Sequence, residues 1–338
     1  MLTQYNHLAA ILTAGLSKKI IPGTDLTKAD WAILEPFLAE QGLMCIADSA
    51  FKHLQKNDVA LPGRSQCVKI TCAAMSQQLE RAKHQADLAL LSAEWRAEGK
   101  CVLILGGEAF APFYPKATMR GGDDLLCVPV YKDKEPEAPL EGQDFAYRSL
   151  RVAIPAAAEV PFSGKRGKEQ DAVLAKCFFA SPCSLDPKTG MAYPNPAFCA
   201  LYHLYLSQHQ VLHGRLPFRS VLDWAVLLRL LSQLKAEKFD WAVFLEYVAD
   251  LGLMPFAKIM TELAVRLTGV DRPEACAALT ATDEDVDYLL QCIFSEEAEE
   301  SASQGRLSRF MGVLHNSKKY SVFTDLQPRK EAFRHLFG

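Results

Sequence analysis

From Arg64 to Glu98 the chain carries neither proline nor glycine, and that run constrains the fold more than any other feature. These two residues are the ones that interrupt helices. Within the run, Val68, Cys72, Met75 and Leu79, then Leu88, Leu91 and Trp95, recur at helical spacing. The pattern predicts one long helix whose apolar seam packs into a core. Directly after it the pattern changes. Cys101–Leu105 is a short apolar run, closed by the pair Gly106-Gly107 and a brief amphipathic piece ending at Tyr114-Pro115. Arg120, two more glycines and the pair Asp123-Asp124 lead into a second apolar run, Leu125–Val130. Apolar runs this short, bounded by glycine and proline, read as buried strands.

Around this centre the rest of residues 1–100 reads as helical. Thr27–Asp30 has the form of a capping box, Trp31, Leu34, Phe37 and Leu38 share one helical face, and Gly42 ends that helix. Met44, Ala47, Phe51 and Leu54 begin the next. Beyond the second strand, residues 131–142 form a charged, proline-containing connection, and Phe145–Ile154 reads as strand material bending near Ser149. Cys177–Phe179 and Met191–Tyr193 are expected to complete a small sheet. Past Pro196 helical patterns return over Phe198–His213, Phe218–Leu231, Trp241–Leu251, Pro255–Leu267 and Asp283–Phe294. A polar linker and a basic tail come last. No internal repeat or low-complexity tract stands out. The order of elements predicts an α+β fold in three parts: N-terminal helices (1–100), a mixed-sheet core (101–196) and C-terminal helices (197–338).

The 338 residues carry a net charge of -3, which gives no electrostatic reason to expect nucleic acid as partner. Ten cysteines occur without any C-x-x-C pair. They read as reduced core thiols of a cytoplasmic protein, with no disulfide or zinc framework. The apolar patch Leu8–Leu16 precedes Lys18 and Lys19, the wrong order for a signal peptide. No apolar run approaches the ~20 residues that a membrane span needs.

The central stretch concentrates the candidate chemistry. Gly106 and Gly107 allow close backbone approach to a phosphate where N–H groups are free. Asp123 and Asp124 at the mouth of the second strand are candidate Mg²⁺ ligands and catalytic carboxylates, and Arg120 can neutralise phosphate charge. Adjacent aspartates point to opposite faces of a strand unless a bulge realigns them, so a polar turn explains the pair equally well. Tight packing is likewise a sufficient reason for the two glycines. Ser163–Lys168 (SGKRGK) reads as an exposed basic loop, with phosphate contact as the alternative. His209 and His213, one turn apart, form with Asp223 a possible metal set; helix packing is the simpler account. Arg219 and Asp223 have the spacing of an ion pair.

These residues, in this order, resemble a bacterial family of predicted nucleotidyltransferases within the DNA-polymerase-β-like superfamily. The resemblance rests on D-W-A-I-L with A-E-Q-G-L (Asp30–Leu43), the apolar strand and glycine (Val102–Gly107), and the Tyr114–Val128 segment. It continues through P-x-P-x-F, H-x-x-x-H and R-x-x-x-D-W (Pro194–Trp224) to a basic-aromatic tail near Lys318–Tyr320. It implies a nucleotidyltransferase-like core that binds a nucleotide with Mg²⁺ held by an Asp-x-Asp, and transfers the nucleotidyl group to an acceptor. The alternative it implies is an inactive binding or regulatory module, a pseudoenzyme. The chain departs from the family at the chemistry: Gly106 replaces a lysine, and Ala153 stands where a further carboxylate is expected. Either Gly122 or Leu125 falls at one position of the aspartate pair, depending on register.

Overall fold

The computed structural model describes residues 4–120, 124–131, 143–154, 169–181, 183–186, 189–213, 216–235, 237–294 and 317–325. It is an α+β protein that divides into two compact units, Met1–Cys199 with Leu267–Val270, and Ala200–Arg266 with Asp271–Gly338.

The first unit opens with α1 (Tyr5–Leu12), α2 (Trp31–Glu40), α3 (Met44–Gln55) and α4 (Arg64–Ala97). A sheet comes next, built from β1 (Lys100–Leu105), β2 (Asp124–Tyr131), β3 (Gln143–Tyr147), β4 (Leu150–Ile154), β5 (Ser184–Leu185) and β6 (Ala192–Tyr193). The strand order is β3-β4-β2-β1-β6-β5. β1 and β2 pair antiparallel from Lys100↔Tyr131 to Leu105↔Leu126, whereas β2 and β4 run parallel. β6 joins β1 through the single pairing Leu103↔Ala192. β3 and β4 form the hairpin expected near Ser149. Its turn is held by Asp87 of α4, whose carboxylate accepts from the Ser149 N–H at 3.1 Å and from its hydroxyl. Those bonds hold the Asp87 carboxyl below the usual carboxylate range.

Two local expectations are corrected. The capping-box reading of Thr27–Asp30 fails because Asp25 accepts from both the N–H and the hydroxyl of Thr27; Asp30 is itself the cap of α2. Cys177–Phe179 is not a strand but the end of α5 (Glu169–Phe179), where Leu174, Cys177 and Phe178 fall on one buried helical face.

A third correction concerns α4. Its buried residues are Ile70, Ala74, Arg81, Asp87, Leu88, Leu91 and Ser92. Val68, Met75 and Leu79, expected in the core, are 53%, 58% and 73% exposed.

The second unit holds α7 (Phe218–Gln233), α8 (Trp241–Asp250), α10 (Asp283–Phe294) and α11 (Ser317–Phe323). It also contains most of α6 (Pro196–His213) and of α9 (Met254–Thr268). Trp224 and Phe256 are fully buried. The basic-aromatic tail is docked as α11: Phe323 packs edge-on to Phe256 and stacks on Tyr288, and Lys318 lies over the Tyr288 ring. Gln208 of α6 donates to the carbonyls of Gly252 and Phe323, fixing that tail to the α8–α9 turn.

The two units share a module that periodicity alone does not reveal. D-W-A is followed by A-x-x-G-L-M, without gap or insertion, at Asp30–Met44 and again at Asp240–Met254. The local structures agree at the cap and at the closing turn. Asp30 and Asp240 each cap a helix by accepting from the N–H two residues on, at 3.0 and 2.8 Å. Gly42 and Gly252 close those helices at φ 61° and 68°, where a side chain would be strained. The N–H groups of Leu43 and Leu253 reach back to the carbonyls of Leu38 and Val248, completing Schellman motifs. The chain therefore does contain an internal repeat. It escapes a search for short periods because it occurs once in each unit. Asp240→Ala is expected to cost about 1 kcal/mol of stability, seen as a lower urea midpoint that Asp240→Ser largely restores.

Among the described residues no helix is long and apolar enough to cross a membrane.

Candidate functional site

The site is built where β1 runs out. Val102–Leu105 are at most 1% exposed, so this strand is a rigid support for the turn at its end. Gly106 takes φ 70°, a left-handed conformation that glycine adopts without strain, and opens a 3₁₀ segment, Gly106–Phe113. A Cβ on Gly107 would lie 1.9 Å from Nη2 of Arg120. The bare backbone at Gly107 is what lets the guanidinium lie against it.

Arg120 comes after a short 3₁₀ turn, Ala117–Met119, anchored by the buried Met119. Gln77 of α4 steadies that turn by donating to the Thr118 carbonyl at 3.2 Å, while its own carbonyl accepts from the Cys45 N–H. Glu108, next to Gly107, forms a two-pronged ion pair with Arg81 of α4. The Arg81 side chain is 3% exposed and that of Glu108 13%. Nε of Arg81 has no hydrogen-bond partner among the described residues. Tyr193 of β6 lies in the same field: burial first, then the charges of Glu108 and Asp186, push its hydroxyl pKa up. On β2 the buried Cys127 thiol is pushed up to about 12 by desolvation, which makes it a packing residue and no nucleophile.

Of the residues singled out in the sequence, Gly106, Gly107 and Arg120 come together. Asp124 opens β2. The β1–β2 pairing stops at Leu105↔Leu126, so the backbone of Asp124 is two residues beyond it, at the edge where the Gly106-Gly107 turn begins. The parallel ladder pairs Asp124 with the exposed Arg151, and Leu126 with Ala153. Asp123 lies outside the described residues, as do Ser163–Lys168. His209 is exposed on α6, whereas Asp223 and Arg219 are buried on α7. Among the described residues no three His, Cys, Asp or Glu side chains are grouped to hold a metal. The P-x-P-x-F motif is structural: Asn195 caps α6 by accepting from the Phe198 N–H at 2.8 Å and donates to the carbonyls of Cys177 and Phe178.

Sequence reasoning missed Arg81, Glu108, Gln77 and Tyr193. The one available signal was Arg81, a cation on the inward line of Ile70, Ala74 and Leu88. No protein-family model matches the chain, and neither a curated protein nor a solved structure matches it.

Proposed function

We propose that the chain is a nucleotidyltransferase-fold module that binds the phosphates of a nucleotide at the Gly106-Gly107 turn and carries out no metal-dependent transfer. The observation that carries this reading is the register of β2 against β4, which pairs Asp124 with Arg151 and Leu126 with Ala153. A Mg²⁺ site for phosphoryl chemistry needs carboxylates that face one another across such strands. Among the described residues the neighbouring strand offers an arginine and an alanine where a further carboxylate would stand, which does not favour the ion. Arginine beside half-buried glycine backbone fits a phosphate, because planar guanidinium N–H groups and backbone amides both donate to its oxygens. Arg120 on Gly107 supplies the first such cation.

Titration with the four nucleoside triphosphates, with and without Mg²⁺, tests this. Binding is expected without the metal. Arg120→Ala is expected to weaken it roughly 10- to 100-fold, the loss of one charge-assisted contact worth about 1.5–3 kcal/mol. Binding that requires Mg²⁺ and disappears in Asp124→Asn would instead support Mg²⁺-dependent transfer through Asp123 and Asp124 to an acceptor still to be found.

A further inference from the structure

The outer face of α4 carries a heptad seam. Val68, Cys72, Met75, Leu79, Ala82, Ala86, Ala89 and Ala93 alternate at spacings of four and three residues, the a and d positions of a coiled coil. The inward line, Ile70, Ala74, Arg81, Leu88 and Leu91, is displaced from it by two residues, which is roughly 200° around the helix. The seam therefore faces away from the unit's core. Val68, Met75 and Leu79 are more than half exposed, Cys72, Ala82, Ala86 and Ala93 are exposed, and Ala89 is half-buried. A soluble surface helix gains nothing from sustaining a 3.5-residue apolar period on its outer side unless another helix covers it.

We propose that this face is a self-association surface, on which α4 of a second copy of the chain lies antiparallel. The order of side-chain sizes identifies the occupant. Large residues fill the first half of the seam and alanines the second. A two-fold axis crossing between Glu80 and Arg81 sets Leu79 on the partner's Ala82 and Met75 on the partner's Ala86. It also sets Cys72 on the partner's Ala89 and Val68 on the partner's Ala93. Every large knob meets a small residue, the complementarity that close packing requires. The parallel arrangement stacks Leu79 on Leu79 and leaves voids between facing alanines.

The rims agree. The antiparallel register brings Gln78 to the partner's Gln85, whose amides satisfy one another, and Lys83 to the partner's Ser76. Lys69 then lies along the partner's Leu90, which is 42% exposed in one chain. No lysine faces a lysine. The seam is about 38 Å long and about 10 Å wide, on the order of 400 Å² per chain. Burying that on both copies corresponds to a weak, micromolar dimer.

Sedimentation velocity of the full chain across micromolar concentrations is expected to show a monomer–dimer equilibrium. Leu79→Glu is expected to abolish the dimer while leaving the circular dichroism unchanged and, at concentrations where the parent is monomeric, the melting temperature as well. Ala89→Cys, oxidised with diamide (which takes up the two hydrogens lost as the disulfide forms), is expected to yield a covalent dimer. Peptide mapping should locate that bond between Cys72 and the introduced thiol, and the unsubstituted chain should form none through Cys72. Three results would each overturn the proposal: a chain that stays monomeric throughout, as it would if this face served a different protein; a Leu79→Glu dimer as strong as the parent; or a Cys72–Cys72 disulfide, the mark of a parallel pair.

Discussion

Arg81→Met is expected to lower the stability of the first unit by about 3–5 kcal/mol, the cost of stranding a buried charge. The partner left behind is Glu108, whose side chain is 13% exposed and two-pronged on Arg81. Its carboxylate would be left to protonate or to pull the turn outward. Because Glu108 adjoins Gly107, the second outcome would also disturb the seat of Arg120. The double variant Arg81→Met, Glu108→Leu removes both charges and fills the space, and is expected to recover most of the loss. Urea unfolding followed by circular dichroism reads both. A single-variant loss below about 1 kcal/mol would mean that water already reaches the pair, and the account of a buried clamp under the turn would be wrong.

The second large effect is expected at Trp224, the anchor of the other unit. Its side chain is fully buried, and its indole N–H donates to the hydroxyl of Thr261, itself 0% exposed, at 3.1 Å. Trp224→Ala is expected to cost about 3–5 kcal/mol through the cavity it opens. Thr261→Val separates shape from hydrogen bonding. It nearly preserves volume but orphans the indole N–H, which is expected to cost about 1–3 kcal/mol. Combining Trp224→Phe with Thr261→Val removes donor and acceptor together and is expected to cost less than the two single losses added. Additive losses would show that the bond contributes nothing specific.

Much of the architecture is legible in the sequence because its signals are local. Apolar spacing marks α2 and α8, Gly42 marks the end of α2, and the glycine pair marks the end of β1. The misreadings share a physical cause. Periodicity reports that a helix has an apolar stripe but not which stripe faces inward. α4 has two, and the sequence favours the one richer in large residues. The pairing of Asp124 with Arg151 is illegible because a parallel register depends on how far the connecting chain carries the strand. The Arg81–Glu108 clamp joins a helix to a turn beyond the next strand, and no local pattern announces it. Asp30 as the cap of α2 is within reach of the sequence, but the capping-box pattern at Thr27 outweighs a lone aspartate.

The doubled surface of α4 restricts how this gene can change length. Each residue added to a helix rotates everything after it by about 100°. A single insertion near Lys83 would swing Leu88 and Leu91 out of the interior and carry Ala86 and Ala89 off the outer line in the same stroke. An insertion of seven, which returns the thread to within about 20° of its starting angle, or of eleven, which overshoots by a similar angle, leaves both sides in phase. Homologues of this chain should accordingly vary freely in the loops on either side of α4 and be invariant in the length of the helix itself, or differ there by about seven or eleven residues, the changes that keep phase.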